Sequence, residues 1–302
     1  MQQYDEALHL YYEIKDKDGE SYAVITDADK KLAEVDIPGE IGGSKVRKVA
    51  RKAFLSCKGL RRVSIPESVT EIGEWAFAFC DDLLSVGFIR GDISLGKGVF
   101  KNDGKLREIT VRNQGVQEDD SEGDIKTARL LAATPELMDA EYLLDIKHAG
   151  SKEWLKKWDT RLEHILSLRD DEGYHLYVLC GEEDLHFDYE EYLEYNREKK
   201  SELCMLRLVN DIALNDKDRD ILVHYIKDHM SGCESEAALR VLLERHGDEK
   251  DYYSLMLDTG AINDENLEAV LNAMGNRHAQ MKAYLMEKCN ASKDDYFDDL
   301  ML

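Results

Sequence analysis

Between Val49 and Val111 apolar residues return every 23 positions. Three blocks align at that period: VARKAFLSCKGLRRVSI from Val49, IGEWAFAFCDDLLSVGF from Ile72 and LGKGVFKNDGKLREITV from Leu95. The columns are Val49/Ile72/Leu95, Ala53/Ala76/Val99, Phe54/Phe77/Phe100, Leu60/Leu83/Leu106, Val63/Val86/Ile109 and Ile65/Phe88/Val111, and all eighteen entries are apolar. In each block the segment L-x-x-V-x-I alternates as a short strand does, and the A-F-x-x-C segment before it predicts a tight helical or 3₁₀ return. Neither can bury its apolar side alone. The blocks are therefore expected to stack as coils of a solenoid that share a phenylalanine and a leucine column. Cys57 and Cys80 share a column that becomes Asp103, which marks the third block as terminal. Pro38 and Pro66 each follow a strand, where a missing donor is tolerated. They stand 28 apart rather than 23, with the excess in the Gly42-Gly43-Ser44 turn.

After Val111 the period stops at an acidic, turn-rich stretch, Gln117-Glu118-Asp119-Asp120-Ser121-Glu122-Gly123-Asp124. The pattern then turns helical. Thr134-Pro135-Glu136 reads as an N-cap, a first-turn proline and an acid at the positive end of a helix. Further helices are expected near 151–168, 188–198, 201–213, 217–229, 235–246, 249–258, 264–274 and 277–288. Gly232, Gly247, Gly260 and Gly275 punctuate the last of these, so short antiparallel helix pairs are expected.

The segment IPESVTEIGEWAFAFCDDLLSV resembles the BspA-like (Treponema pallidum type) leucine-rich repeats, whose pattern is I-P-x-S-V-T-x-I-G-x-x-A-F-x-x-C-x-x-L-x-x-V. Ile65, Pro66, Ser68, Val69, Thr70, Ile72, Gly73, Ala76, Phe77, Cys80, Leu83 and Val86 match it. The resemblance covers roughly residues 20–111, and Tyr22–Ile25 with Val35–Pro38 look like the strand pairs that often start such arrays. Residues 255–290 are similar to helical-pair modules found behind such repeats in bacterial cytoplasmic proteins. They also have ankyrin-like spacing, without a T-P-L-H start. The expected fold is α+β: a leucine-rich repeat solenoid of about three coils with an N-terminal strand cap over 1–116, an acidic linker at 117–124, and an all-α domain over 125–302. The helical half is expected to cap the coil ending near Val111.

At 302 residues the chain can bury a large core without a disulfide or metal. The formal charge of −23 repels phosphate backbones and anionic lipid heads, so nucleic-acid and membrane partners are disfavoured. That charge is unevenly placed. Residues 1–116 carry 18 basic and 19 acidic residues, and the remaining 22 basic and 44 acidic residues leave a net −22 beyond them. Within the near-neutral part, Lys45, Arg47, Lys48, Arg51, Lys52, Lys58, Arg61 and Arg62 form a run with no acid among them, and Arg107 recurs in the Arg61 column. A solvated face, docking on the chain's own acidic half and docking on an acidic partner all remain open for this run. Met1–Glu6 shows neither a basic n-region nor an apolar h-region, and the six cysteines form no C-x-x-C pair, so a reducing, cytoplasmic setting is expected.

Candidate chemistry thins out on inspection. Gly91-Asp92-Ile93-Ser94-Leu95-Gly96-Lys97 imitates a phosphate loop, but Gly98 stands where a hydroxyl belongs and the repeat register puts Leu95 in the core. Ser94 and Lys97 form an S-x-x-K without its companion motifs. Asp216–Asp220 begins like a calcium loop, but Ile221 replaces the glycine and Lys227 the bidentate glutamate. The histidines show no H-E-x-x-H, and His224 and His229 are poorly placed on a helix for a shared metal. Cys57 and Cys80 are expected to pack as small hydrophobes. Tyr189, Tyr192 and Tyr195, like Trp154 and Trp158, are expected to pack as helix faces. No catalytic residue, metal ligand or cofactor is therefore assigned. The expected function is a non-enzymatic protein–protein interaction module with a protein partner. The resemblance implies that strand faces meet partners, which makes Arg47, Arg51, Arg61, Arg62 and Arg107 the contact candidates. An enzyme with a site at the repeat–helix crevice, and an exported surface adhesin, are the alternatives.

Overall fold

The computed structural model describes residues 1–89, 92–112, 122–175 and 188–299, with side chains through Cys289. It divides the chain into two compact units, Met1–Glu163 and His164–Leu302. In the first, strands β1 (Gln3–Asp5), β2 (Leu10–Lys17), β3 (Glu20–Ala28), β6 (Ser44–Val49), β8 (Glu71–Ile72) and β10 (Ser94–Leu95) form one sheet in that order, with β5 (Glu40–Ile41) paired to β6. A second sheet runs β11 (Glu108–Arg112), β9 (Ser85–Ile89), β7 (Arg62–Ile65) and β4 (Glu34–Asp36). The second sheet is parallel throughout, one strand per coil, and describes about four turns of a solenoid. The 23-residue period sets its register, with Val63 opposite Val86 and Val86 opposite Ile109. Val35 opposite Val63 keeps the ladder across the longer step, and the surplus residues make the β5–β6 hairpin, turned by Gly42 and Gly43 at φ 57° and 74°.

The return between the sheets is not helical. It is a run of turns that forms a third ladder. Lys52, Phe54 and Ser56 donate N–H bonds to the carbonyls of Glu74, Ala76 and Ala78. Trp75, Phe77 and Phe79 repeat this one coil later onto Lys97, Val99 and Lys101. Turning a chain this tightly uses two left-handed residues per coil: Lys52, Trp75 and Gly98 (φ 62°, 56° and 64°), then Ser56, Phe79 and Asn102 (58°, 60° and 60°). Each non-glycine placed there costs about 1–2 kcal/mol. Packing between coils offsets it: Phe54, Phe77 and Phe100 stack at centroid distances of 4.8 and 5.9 Å, and Cys57, Leu60, Leu83 and Val86 are wholly buried around them. Coils approach so closely that a side chain at Gly73 would sit 2.4 Å from the Arg51 amide nitrogen.

The last coil needs an end. Residues 117–121 of the expected linker lie outside the described residues, and Glu122 and Asp124 belong to the first turn of helix α1 (Glu122–Ala132). This helix packs on β11 at the end of the second sheet. Thr134-Pro135-Glu136 does not cap a helix start, because it follows the end of α1: the Thr134 hydroxyl donates to Leu131 O at 2.8 Å. Its glutamate closes the return ladder instead. Glu136 Oε1 accepts the Asn102 N–H and Glu141 Oε1 accepts the Gly98 N–H, both at 2.8 Å, where a further coil would have presented carbonyls. Helix α2 (Lys152–Ser167) begins in this unit and anchors the cap, with Trp154 Nε1 bonded to Leu143 O and Trp158 Nε1 to Leu130 O.

In the second unit the sequence suggested two helices over 188–213, and one 21-residue helix, α3 (Tyr189–Val209), spans most of that range. No glycine or proline interrupts it, and Glu194–Arg197 braces it at i,i+3. It packs against α4 (Asp216–Lys227), α5 (Ala237–Arg245) and α6 (Lys250–Asp258), while α6 also meets α8 (Ala279–Asp299), which follows α7 (Leu267–Met274). Asn215 caps α4 through the Asp218 N–H, so the acids there start a helix. Asp170, Glu194, Glu198 and Glu202 are laced to Arg197, Lys200, Arg240 and Arg245. Tyr189 and Tyr195 are exposed, contrary to the expected packed face, and Tyr189 instead meets Tyr174 edge-on.

The cap is testable. Glu141→Ala leaves the buried Gly98 N–H without an acceptor and should cost about 1–3 kcal/mol in denaturant unfolding. Glu141→Gln keeps an acceptor and should recover most of that loss. Equal destabilisation by both would show that the hydrogen bond is not what holds the end of the array.

Candidate functional site

The five arginines fall on three stretches of the coil. Arg47 lies in β6 of the first sheet, half-buried, beside Lys45 and Lys48 in a shallow groove that also holds Tyr22 and Thr70. Arg51 sits on the return, 5.9 Å from the Trp75 ring centre. Arg61 immediately precedes β7 and Arg62 opens it, and Arg107 immediately precedes β11 at the level of Arg61. The structure brings Arg61, Arg62 and Arg107 to one edge and leaves Arg47 and Arg51 elsewhere.

Much of the basic run is answered one period away. Lys48 meets Glu71 at 2.5 Å, Arg51 meets Glu74 at 3.6 Å and Lys58 meets Asp81 at 3.3 Å, each an offset of 23 residues. Arg62 reaches back to Glu34 at 4.0 Å. These pairs are solvent-exposed, worth about 0–1 kcal/mol each, but they largely neutralise the apparent stripe. Arg61 and Arg107 stand apart from this pattern. They flank Leu84, which is 43% exposed, and the backbone stacks the three in one column: Leu84 N–H bonds to Arg61 O and Arg107 N–H to Leu84 O, both at 2.9 Å. Neighbouring members of such a column lie about 4.8 Å apart.

At the end of the first sheet, β10 borders a cleft of about 770 Å³ whose far wall is the 135–148 segment. Leu95 lines this cleft, half-buried, rather than the core, because it belongs to the last described strand of its sheet. Ser94, Lys97, Asp145 and His148 line it too, and Asp145 Oδ2 holds His148 Nδ1 at 2.9 Å. Among the described residues no hydrogen bond joins Ser94 to His148, and the Asp145 carboxylate also accepts the N–H groups of Lys147 and His148. The arrangement is a local turn rather than an assembled nucleophile and base. Gly91, the first residue of the imitation phosphate loop, lies outside the described residues. Among the described residues no group of three or more potential metal ligands converges, and no helix is long and apolar enough to cross a membrane.

Residues 28–120 match the family model described as the BspA type leucine-rich repeat region, in six copies. The first unit carries a BspA-type leucine-rich repeat array. Among solved structures, the chain is similar to a Treponema pallidum leucine-rich repeat protein, at 28% identity over 38% of this chain and 55% of that one, with a TM-score of 0.28. It is also similar to a leucine-rich cell surface protein from Faecalibacterium prausnitzii (23% identity, 37% of this chain, 30% of that one, TM-score 0.32). A third likeness is to a leucine-rich repeat protein from Bacteroides capillosus (22% identity, 37% and 98%, TM-score 0.27). The chain thus spans about half the length of the Treponema protein and less than a third of the Faecalibacterium one. No curated protein matches it.

Within the leucine-rich repeats the cysteine column is structural. Cys57 and Cys80 are fully buried, burial pushes both thiols up from their ordinary value, and Cys80 Sγ lies 3.2 Å from Phe54 O. Asp103 continues the column at 1% exposure, with Oδ1 accepting the Cys80 N–H at 2.8 Å and, among the described residues, no partner for Oδ2. Burial pushes its carboxyl up to about 8. An unfolded aspartate ionises near 3.9, so between these values the unfolded chain binds fewer protons. Asp103 therefore contributes a stability that falls as pH rises, at up to about 1.4 kcal/mol per pH unit. Asp103→Asn keeps the acceptor and removes the titration. Its stability relative to wild type should improve steadily from pH 5 to pH 8 in chemical denaturation, and a pH-independent difference would contradict the buried neutral acid.

Proposed function

We propose that the chain is a non-enzymatic protein–protein interaction module that meets its partner at the edge of the second sheet. The observation that carries this reading is the Arg61–Leu84–Arg107 column: an exposed leucine between two arginines, stacked by backbone bonds immediately ahead of the parallel ladder of the second sheet. Arginine is enriched at interface centres, and the exposed leucine between two of them gives a partner apolar surface to bury. The inter-coil backbone bonds position all three just ahead of their strands, with little loss of backbone freedom on binding. Arg62 borders the column at the start of β7. Arg47 and Arg51 lie on other stretches of the coil and are not needed for contact there. The partner is a protein that offers carboxylates, since the two arginines bracket the apolar centre.

Wild type and an Arg61→Glu/Leu84→Asp/Arg107→Glu variant of unchanged circular dichroism should be compared by affinity capture from the source organism's lysate. The expected outcome is a retained protein whose recovery drops at least tenfold with the variant. Undiminished recovery would remove the column as the contact. The reading also places the chain in a reducing compartment, consistent with the free thiols of Cys57, Cys80, Cys204 and Cys233. Cell fractionation should find it with cytoplasmic markers, and recovery in the surface fraction would favour an adhesin instead.

A further inference from the structure

The return side of the second regular coil carries two aromatic residues that the fold does not ask for. Trp75 and Phe79 occupy the left-handed positions of their coil. The coil before fills those positions with Lys52 and Ser56, and the coil after fills them with Gly98 and Asn102. The same backbone turn is therefore made in one molecule by small or polar residues, two of them of types that adopt it readily. Bulky side chains there are the least suited, and neither joins the core: Phe79 is 38% exposed and Trp75 is half-buried on the surface, its indole lying over Gly98. An unfavourable backbone choice combined with an exposed aromatic points from the strain toward a use for the side chain.

The surroundings indicate what that use is. Lys52 Nζ lies 5.0 Å from the Trp75 ring centre, and the Arg51 guanidinium, paired with Glu74, lies 5.9 Å from it. Lys97 and Lys101, whose carbonyls receive the Trp75 and Phe79 N–H bonds, are exposed on the next coil. Among the described residues Lys52, Lys97 and Lys101 form no ion pair. The acids on this side are committed: Glu74 to Arg51, Asp81 to Lys58, and Glu136 and Glu141 to the backbone of the last coil. Trp75 and Phe79 thus sit among three lysines without an ion pair, against two carboxylates, Glu136 and Glu141, that keep their charge while accepting neutral backbone amides, so positive charge is in slight excess around the rings.

We propose that Trp75 and Phe79 form a second docking surface, for an acidic peptide segment that carries an aromatic or leucine side chain. The apolar side chain of the segment packs on the two rings, and its carboxylates face Lys52, Lys97 and Lys101. This surface lies on a different stretch of the coil from the Arg61–Leu84–Arg107 column and does not depend on that column being used. A basic, Trp-containing patch has the residue types over-represented at the centres of interfaces. Two independent contacts on one rigid array would also raise avidity for a partner long enough to reach both.

The probe is a fluorescein-labelled nonapeptide of Asp and Glu with one Phe and one Leu, titrated into the full chain and read by anisotropy. Trp154 and Trp158 are buried, so a change in intrinsic fluorescence on binding reports Trp75 directly. The key variant is Trp75→Lys/Phe79→Ser, which installs the residues of the preceding coil and so is compatible with the turn. It adds positive charge while removing the rings. The proposal expects a tenfold or greater loss of affinity in this variant, a similar loss for Lys97→Glu/Lys101→Glu, and weak binding of a control peptide with Ser in place of Phe and Leu. Unchanged or tighter binding to Trp75→Lys/Phe79→Ser, equal binding of the Ser control, or no binding to wild type would each overturn it. The Arg61→Glu/Leu84→Asp/Arg107→Glu variant should bind the probe within threefold of wild type. If it alone loses the probe, the second-sheet edge is the contact and this surface is not.

Discussion

The structure depends on one constraint: each coil must leave its backbone donors where the next coil's carbonyls will be. In the return segment three N–H groups per coil point along the array axis and are met 22 residues later, from Lys52, Phe54 and Ser56 to Glu74, Ala76 and Ala78. A buried amide without an acceptor costs more than a formed hydrogen bond contributes, so this matching does more to fix the period than the strength of any single bond. The two sheets obey the same step, which aligns Val63, Val86 and Ile109 as one inward row. Once the step is fixed, the phenylalanine stack and the close contact at Gly73 follow from it, because residues 23 apart necessarily share a column.

The same periodicity governs charge. The basic run from Lys45 to Arg62 looks uncompensated when read along the chain, since its acids are not its sequence neighbours. They stand one coil on, in Glu71, Glu74 and Asp81, and one coil back in Glu34. A linear count of charge therefore overstates the field of a solenoid surface, because neutralisation acts across the stack at the spacing of adjacent strands. What survives the pairing is more informative than the run itself. Arg61 and Arg107 beside Leu84, and Lys52, Lys97 and Lys101 around two exposed rings, are the places where the repeat leaves charge and apolar surface together.

The solenoid was legible from the sequence because its signal is redundant: six apolar columns repeat, and twelve residues between Ile65 and Val86 match a known repeat pattern. Elements that occur once were harder to read. Strands β2 and β3 pair through a tight turn at Asp18-Gly19, both at positive φ, and an Asp-Gly flanked by alternating apolar residues is a strong hairpin signal. That signal lies just before the Tyr22–Ile25 strand that the pattern did reveal. Thr134-Pro135-Glu136 has the composition of a helix start, yet it follows a helix, because its glutamate serves the terminal coil rather than a new helix. Local chemistry there is ambiguous, and only the position of Asn102 decides it. The exposed column at Leu84 was hidden for a different reason. Its three members are 23 residues apart and are of two residue types, so no local window shows them together.

The terminal coil shows how a repeat departs from its pattern where its neighbour changes. Gly98 and Asn102 occupy the left-handed positions, and their N–H groups meet glutamate side chains instead of backbone carbonyls. A carboxylate on a flexible stem can reach an amide from outside the coil geometry, so a single chain can end a ladder that only another coil could continue. Asp103 marks the same transition from inside. The two coils before it hold a cysteine at this position, and here a largely neutral acid accepts the Cys80 N–H. The second coil, with neighbours on both sides, has no such end to close. Trp75 and Phe79 therefore cannot be explained as capping, and the turn itself is made more easily by the residues on either side of them. Their presence in the interior coil separates what the fold requires from what it merely permits, and this is the distinction on which a functional reading of a repeat surface has to rest.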